Sequence, residues 1–150
     1  SRVNNLFLLG ESQGGMVSAL VAPKRINELR GMALIYPAFV IPDDSFKNFP
    51  DENTIPERIN FMGGTVSKKY FVDARNIDVY QDIQGFTKDV LIIHGDNDTL
   101  VPLSYSEKAV KVYKSSKLTI IKDSGHGFYG EQGKIAADSI ISYVKNAMQN

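Results

Sequence analysis

The chain has 150 residues, of which 43% are hydrophobic and 23% charged, so it can bury one moderate core in a single domain. Its 17 basic residues balance 17 acidic ones, which excludes a general electrostatic attraction to nucleic acid or to an anionic membrane. The absence of cysteine excludes disulfides, thiolate metal sites and a cysteine nucleophile, and it favours a cytoplasmic location.

Short apolar segments alternate with helical patterns along the chain. The predicted strands are residues 6–9, 32–36, 90–93 and 118–121. The predicted helices are residues 14–22, 104–113 and 133–148. Because the strand segments are continuously apolar instead of alternating, we expect a parallel sheet covered on both faces. This order predicts an α/β fold with a parallel sheet of about four strands flanked by helices.

The first predicted strand ends in a turn that indicates a nucleophile. Residues 10–15 read Gly-Glu-Ser-Gln-Gly-Gly and are followed by a helical segment. This is the strand, sharp turn and helix context of a nucleophile elbow. We expect Ser12 to be held in a strained, exposed conformation, with Gly10 and Gly14 lacking the Cβ atoms that would collide across the bend.

A long segment, residues 38–88, separates the second and third predicted strands. At about fifty residues it exceeds what a connection between a strand and a helix needs, so we predict an inserted cap. Its aromatic side chains either form the small core of this cap or line a pocket. They are Phe39, Phe46, Phe49, Phe61, Tyr70, Phe71 and Tyr80.

A candidate base and its orienting acid follow the third and fourth predicted strands. A serine hydroxyl needs an imidazole as general base, and the imidazole needs a carboxylate that fixes its tautomer. His126 lies in a glycine-flanked loop and is the candidate base, whereas His94 ends a strand and is expected to be structural. Asp96 and Asp98 are both candidate acids or turn formers. The order serine, aspartate, histidine is that of the α/β-hydrolases.

Three motifs, residues 10–15, 90–102 and 125–128, together resemble the α/β-hydrolase superfamily. In that superfamily the acid is the aspartate three residues before a Val-Pro pair. The resemblance therefore implies a triad of Ser12, Asp98 and His126, with Asp96 as a turn former. It implies neither a cofactor nor a metal.

Within the superfamily, the chain is similar to bacterial cinnamoyl and feruloyl esterases. This similarity rests on residues 10–15, 55–58 and 78–80. It implies that Tyr80 and the pair Asp43 and Asp44 bind the phenolic end of a hydroxycinnamoyl group under the cap. The alternatives are a packed tyrosine and a solvated acidic turn. Glu11 departs from the histidine that commonly precedes the nucleophile in these esterases.

The resemblance covers the whole chain but only about the carboxyl-terminal half of a typical superfamily member. It implies that one of two oxyanion donors belongs to a missing loop, while the N–H of Gln13 supplies the other. Residues 6–9 are then expected to form a sheet edge with an apolar face. We predict that this edge is covered by a second copy of the chain in a homo-oligomer, or by the missing amino-terminal portion.

These features favour hydrolysis of a small carboxylic ester through an acyl-enzyme. Peptides, thioesters and lipid acyl groups would use the same machinery. A second hypothesis is a non-catalytic module that folds and binds acyl compounds without turnover. A third is a metal-dependent hydrolase. Its ligands would come from His94, Asp96, Asp98, Asp123 and His126.

Overall fold

The structure is a computed structural model and describes residues 5–61 and 63–149. The described chain forms two compact units. One unit contains the described residues up to Phe39 and those from Val79 onward, and the other spans Val40–Asp78.

The first unit is built on a parallel sheet, as the sequence predicts. Its strands are β1 (Phe7–Glu11), β2 (Gly31–Ile35), β5 (Asp89–Gly95) and β6 (Ser116–Ile121). Within the described residues this sheet has four strands in the order β1, β2, β5, β6, and all neighbouring pairs are parallel. Val90, Leu91, Ile92 and Ile93 are almost completely buried, which explains their continuous apolar pattern. The predicted α/β fold is confirmed.

Helices follow each strand of the first unit. They are α1 (Ser12–Val21), α4 (Val79–Asp82), α5 (Leu103–Val112) and α6 (Gly130–Gln149), with short 3-10 helices at Ala22–Arg25 and Ile83–Gly85. One core cluster places Ala136 of α6 against Leu91 and Ile93 of β5, with Phe128 and Tyr143 packed beside it. The helix α1 begins two residues earlier than predicted, because the elbow serine is itself its first residue.

The second unit is described by itself. It contains α2 (Ile41–Asn48), a 3-10 helix (Glu52–Thr54), an antiparallel hairpin of β3 (Arg58–Phe61) and β4 (Gly64–Ser67), and α3 (Lys68–Arg75). Phe71 is buried, and its ring lies 5.1 Å from Phe49, 5.9 Å from Phe61 and 5.1 Å from Tyr70. These four aromatics therefore form a small core within the unit. That the unit acts as a cap stays a prediction.

The predicted insertion and the observed unit differ in their bounds. The sequence predicts a segment over residues 38–88, whereas the compact unit is Val40–Asp78. The short helix α4 and the 3-10 helix Ile83–Gly85 belong with the sheet, where Ile83 and Phe86 are buried. Buried apolar residues just before β5 therefore extend the core of the first unit.

The strand β1 lies at one edge of the sheet in the part of the chain that the structure describes. Leu6 beside it is 46% exposed and Leu9 within it is 56% exposed. These exposed side chains match the expected apolar edge, while the covering of this edge by a second copy stays a prediction.

Among the described helices, no helix is long and apolar enough to cross a membrane.

Replacing Tyr113 with phenylalanine is expected to stabilise the protein by about 1 kcal/mol. The Tyr113 hydroxyl is buried and has no hydrogen-bond partner within residues 5–61 and 63–149, and burial raises the pKa of this phenol. Tyr143→Phe is the matched control, because the Tyr143 hydroxyl donates to Asp89 O at 2.6 Å and accepts from Met32 N at 2.9 Å. Urea unfolding should show the control losing stability. Equal losses in both variants would contradict this prediction.

Candidate active site

The turn after β1 has the strained geometry expected of a nucleophile elbow. Ser12 has a φ of 50°, in the left-handed region that non-glycine residues rarely adopt. A Cβ on Gly10 would overlap the carbonyl oxygen of Gly14, so glycine is required there. The same expectation for Gly14 is wrong, since a Cβ on it would meet nothing within 4 Å in the described chain. Gly15 is the second close-packed glycine, with its Cβ position 3.0 Å from Pro37 Cα.

Ser12 is positioned at the amino-terminal end of α1. Its carbonyl oxygen accepts a hydrogen bond from Ala38 N at 2.8 Å. The first N–H groups of a helix have no partner within it, and they give this end a partial positive charge. Gln13 is the second residue of α1. Its position is compatible with an oxyanion donor, and this role stays a prediction.

The imidazole of His126 contacts the two other residues of the predicted triad. Its Nε2 lies 2.9 Å from Ser12 Oγ, and its Nδ1 lies 2.8 Å from Asp98 Oδ2. Because an ionised carboxylate only accepts, Nδ1 carries the proton and Nε2 is left to accept from the serine hydroxyl. The three side chains follow β1, β5 and β6, whose carboxyl ends meet at one edge of the parallel sheet.

Asp98 is buried and held by its own loop. Its Oδ1 accepts hydrogen bonds from Leu100 N at 2.9 Å and Val101 N at 2.8 Å. Its Oδ2 lies 2.8 Å from His126 Nδ1 and 3.4 Å from the buried His94 Nε2. Asp98 therefore forms a local turn and orients the imidazole at the same time, two uses that the sequence patterns present as alternatives.

His94 is completely buried beneath this loop. Its Nε2 lies 2.8 Å from Val101 O and its Nδ1 lies 2.7 Å from Ser106 Oγ. A carbonyl only accepts, so Nε2 carries the proton and Nδ1 accepts from the serine. Burial lowers the pKa of His94, which keeps the imidazole neutral. This is the packed, hydrogen-bonded role that the sequence predicts for His94.

Asp96 joins the loop that carries Asp98 to the loop that carries His126. Its Oδ1 accepts from Asp123 N at 2.7 Å, and Asn97 N donates to Ser124 O at 2.9 Å. A Cβ on Gly95 would overlap the carbonyl oxygen of Ser124, so the two loops are in close contact. Asp96 is therefore a tether between two loops and not only a former of its own turn.

The predicted substrate-binding residues are placed in both units. Asp43 and Asp44 lie in the first turn of α2, in the second unit, and burial raises the pKa of Asp44. Tyr80 belongs to the first unit, where its hydroxyl donates to Tyr105 O at 3.2 Å and Lys108 Nζ lies 3.8 Å from its ring centroid. Recognition of a phenol by these residues stays a prediction.

The two histidines considered as metal ligands are engaged with other protein groups. In the ranges 5–61 and 63–149, no group of three or more histidine, aspartate or glutamate side chains is placed to hold a metal ion. Both ring nitrogens of His94 and of His126 have protein partners. The geometry gives no support to the metal-dependent hypothesis.

Tyr36 is a site residue that the sequence patterns do not single out. Its ring centroid lies 4.5 Å from that of His126 and 5.0 Å from that of Phe128. One feature of the sequence could have identified Tyr36. It stands directly before Pro37 at the carboxyl end of β2, and functional residues of α/β sheets gather at this edge.

The sheet order, the serine elbow after β1 and the histidine loop after β6 define an α/β-hydrolase fold. A model of the prolyl oligopeptidase family matches residues 2–150. The chain therefore belongs to the prolyl oligopeptidase family, within the α/β-hydrolase superfamily.

Individual relatives agree with the assignment to the α/β-hydrolase superfamily. Est1E from Butyrivibrio proteoclasticus has a TM-score of 0.90 and 26% identity, over 99% of this chain and 63% of that one. Est1E with ferulic acid bound matches equally, over 61% of that chain. The AB hydrolase superfamily protein YisY of Bacillus subtilis (strain 168) is 31% identical over 74 residues, which are 49% of this chain and 27% of YisY. The chain thus spans less than two-thirds of the length of these relatives.

Proposed function

We propose that the chain carries the catalytic triad of a serine hydrolase that cleaves carboxylic esters. The observation that carries the proposal is the continuous contact from Ser12 Oγ through the His126 ring to Asp98 Oδ2, at 2.9 Å and 2.8 Å. These distances are within the reach of a nucleophile, its base and the group that orients the base.

The proposed reaction begins with transfer of the Ser12 hydroxyl proton to Nε2 of His126. Ser12 Oγ attacks the ester carbonyl carbon, and the oxygen that becomes negative is stabilised by the N–H of Gln13 and the amino-terminal end of α1. The tetrahedral intermediate collapses when His126 returns the proton to the leaving alkoxide. Water, deprotonated by His126, then attacks the acyl carbon, and the acid product leaves when the bond to Ser12 Oγ breaks and Oγ takes the proton back from His126. Asp98 holds the imidazole tautomer throughout.

Two comparisons suggest different acyl groups for this machinery. Est1E, which has been solved with ferulic acid bound, supports a hydroxycinnamoyl ester, and Asp43, Asp44 and Tyr80 are the proposed contacts for its phenol. The prolyl oligopeptidase family match supports a peptide substrate as the second candidate. Methyl ferulate and a proline-containing peptide amide, assayed side by side, distinguish these two substrate classes.

The homo-oligomer and the cytoplasmic location stay predictions.

A fluorophosphonate probe is expected to form one covalent adduct, located on Ser12, because the probe reacts with a serine that an adjacent base activates. Peptide mass spectrometry of the labelled chain checks the position. The Ser12→Ala variant is the control and should remain unlabelled. A folded chain that gives no adduct would refute the covalent mechanism. Labelling without turnover of either substrate above the Ser12→Ala background would favour the non-catalytic module.

A further inference from the structure

Three consecutive residues after β2 contact both of the loops that meet at the active site. Ala38 N donates to the carbonyl oxygen of Ser12 at 2.8 Å. Pro37 packs tightly against Gly15, whose Cβ position lies 3.0 Å from Pro37 Cα. The ring of Tyr36 lies against His126. Ser12 follows β1 and His126 follows β6. The segment after β2 therefore contacts both the proposed nucleophile and its proposed base.

The backbone of Tyr36 is strained. Its φ is 34°, a left-handed conformation that is unfavourable for any residue with a side chain, and the residue is only 6% exposed. Its N–H donates to Ile93 O at 2.7 Å, which continues the pairing of β2 with β5. Strain of this kind persists only where surrounding contacts enforce it, and it is concentrated at functional sites.

The side chain of Tyr36 is held at both ends. Its ring is 5.0 Å from that of Phe128 in an edge-to-face arrangement and 4.5 Å from the imidazole of His126. Burial raises the pKa of the phenol to about 12, so the hydroxyl is protonated and donates to Glu11 Oε2 at 3.4 Å. Glu11 directly precedes the nucleophile, so the tyrosine spans from the serine turn to the base.

The two hydrogen bonds of His126 restrain its ring only loosely against tilting. They are made at Nδ1 with Asp98 and at Nε2 with Ser12. Small rotations about the side-chain bonds still tilt the ring, because a hydrogen bond tolerates angular displacement. A packed aromatic ring restrains this tilt, because tilting would drive the two rings into each other.

We propose that Tyr36 is a positioning residue that sets the tilt of the His126 imidazole and thereby aligns Nε2 with Ser12 Oγ. This inference rests on the proposed function. Small displacements of a catalytic base are costly, because proton transfer requires an aligned hydrogen bond. Glycine adopts the φ of residue 36 without strain, so a substitution by glycine removes the ring and the strain together.

Three substitutions at position 36 separate the ring from the backbone and from the hydroxyl. Tyr36→Leu and Tyr36→Gly are each expected to lower kinact for the fluorophosphonate probe by about 10²-fold with KI unchanged. Tyr36→Phe should stay within about threefold of the unsubstituted chain, because the ring is kept. Tyr36→Leu keeps the backbone strain and Tyr36→Gly removes it, so a loss that both variants share does not come from the strain.

Imidazole NMR gives a readout that does not depend on activity. The chain contains two histidines, and His126→Asn assigns their signals. We expect the His126 ring protons to lose a ring-current shift in Tyr36→Leu and Tyr36→Gly but to keep it in Tyr36→Phe. The signals of His94 should be unchanged in all three variants, which also reports that the fold is intact.

The possible outcomes are distinguishable. If the unsubstituted chain reacts with the probe and Tyr36→Leu and Tyr36→Gly react equally fast, the positioning role is refuted. Unchanged His126 signals in those two variants would refute it as well. If the unsubstituted chain does not react while the ring-current shift is present, the proposed function fails, and the positioning role fails with it although the contact exists.

Discussion

Asp98→Asn is expected to lower kcat by about 10⁴-fold while leaving the fold intact. The two backbone N–H groups of Leu100 and Val101 donate to Oδ1 of Asp98, so the asparagine must keep its carbonyl oxygen there. Its NH₂ group then replaces Oδ2 and points at Nδ1 of His126. The imidazole must accept this bond at Nδ1, so the proton moves to Nε2. In this tautomer His126 has no lone pair with which to deprotonate Ser12.

Asp96→Asn is the matched control for this substitution. Asp96 lies two residues away, and its Oδ1 accepts from Asp123 N, a bond that an asparagine carbonyl preserves. Its kcat should stay within about threefold of the unsubstituted chain. Initial rates with p-nitrophenyl acetate and urea unfolding of both variants check the pair. Equal losses of kcat, or a normal kcat in Asp98→Asn, would show that Asp98 does not set the tautomer.

Gly10→Ala is expected to destabilise the protein by about 3 kcal/mol and to abolish labelling of Ser12. The added methyl would overlap the carbonyl oxygen of Gly14 and lie 2.5 Å from Ser18 Oγ. The serine side chain can rotate away, but the backbone carbonyl belongs to the first turn of α1 and cannot move without opening the elbow. Urea unfolding measures the loss of stability, and the fluorophosphonate probe measures the loss of the elbow.

Gly14→Ala adds the same methyl group four residues later and serves as the control. Its Cβ would meet nothing within 4 Å in the described part of the chain, and residue 14 lies inside α1. Alanine is a better helix former than glycine, so this variant should gain up to about 1 kcal/mol and keep its reactivity. If the two alanine variants behave alike, the steric explanation of the elbow is wrong.

Much of the fold could be predicted because buried parallel strands have an unmistakable pattern. The segment 90–93 is continuously apolar, and in the structure it is the core of β5. The proposed triad could be predicted from the sequence because glycines, strand ends and chain order all point to Ser12 and His126. The family motif decided between Asp96 and Asp98, which the local sequence leaves equivalent.

The remaining features depend on contacts between residues that are distant in the chain. Tyr36 meets His126 across 90 positions and does so with a backbone conformation that its residue type does not suggest. Asp96 looks like a turn residue, but its partner Asp123 lies in the next loop. Gly14 matches the elbow pattern, yet the helix turns its Cβ position toward open space. Sequence patterns describe residues that are close together in the chain. The features named here depend instead on strand register and on the packing of distant segments.

The hydrogen bond between Ser12 Oγ and His126 Nε2 joins residues 114 positions apart. Such a contact forms only after the intervening chain has closed a large loop, so it is slow compared with local turns. The serine belongs to the first strand and helix, whereas its base arrives with the last strand of the sheet. If the proposed triad is formed by this contact, labelling of Ser12 during refolding is expected to begin only when the whole sheet is complete, after helix has appeared.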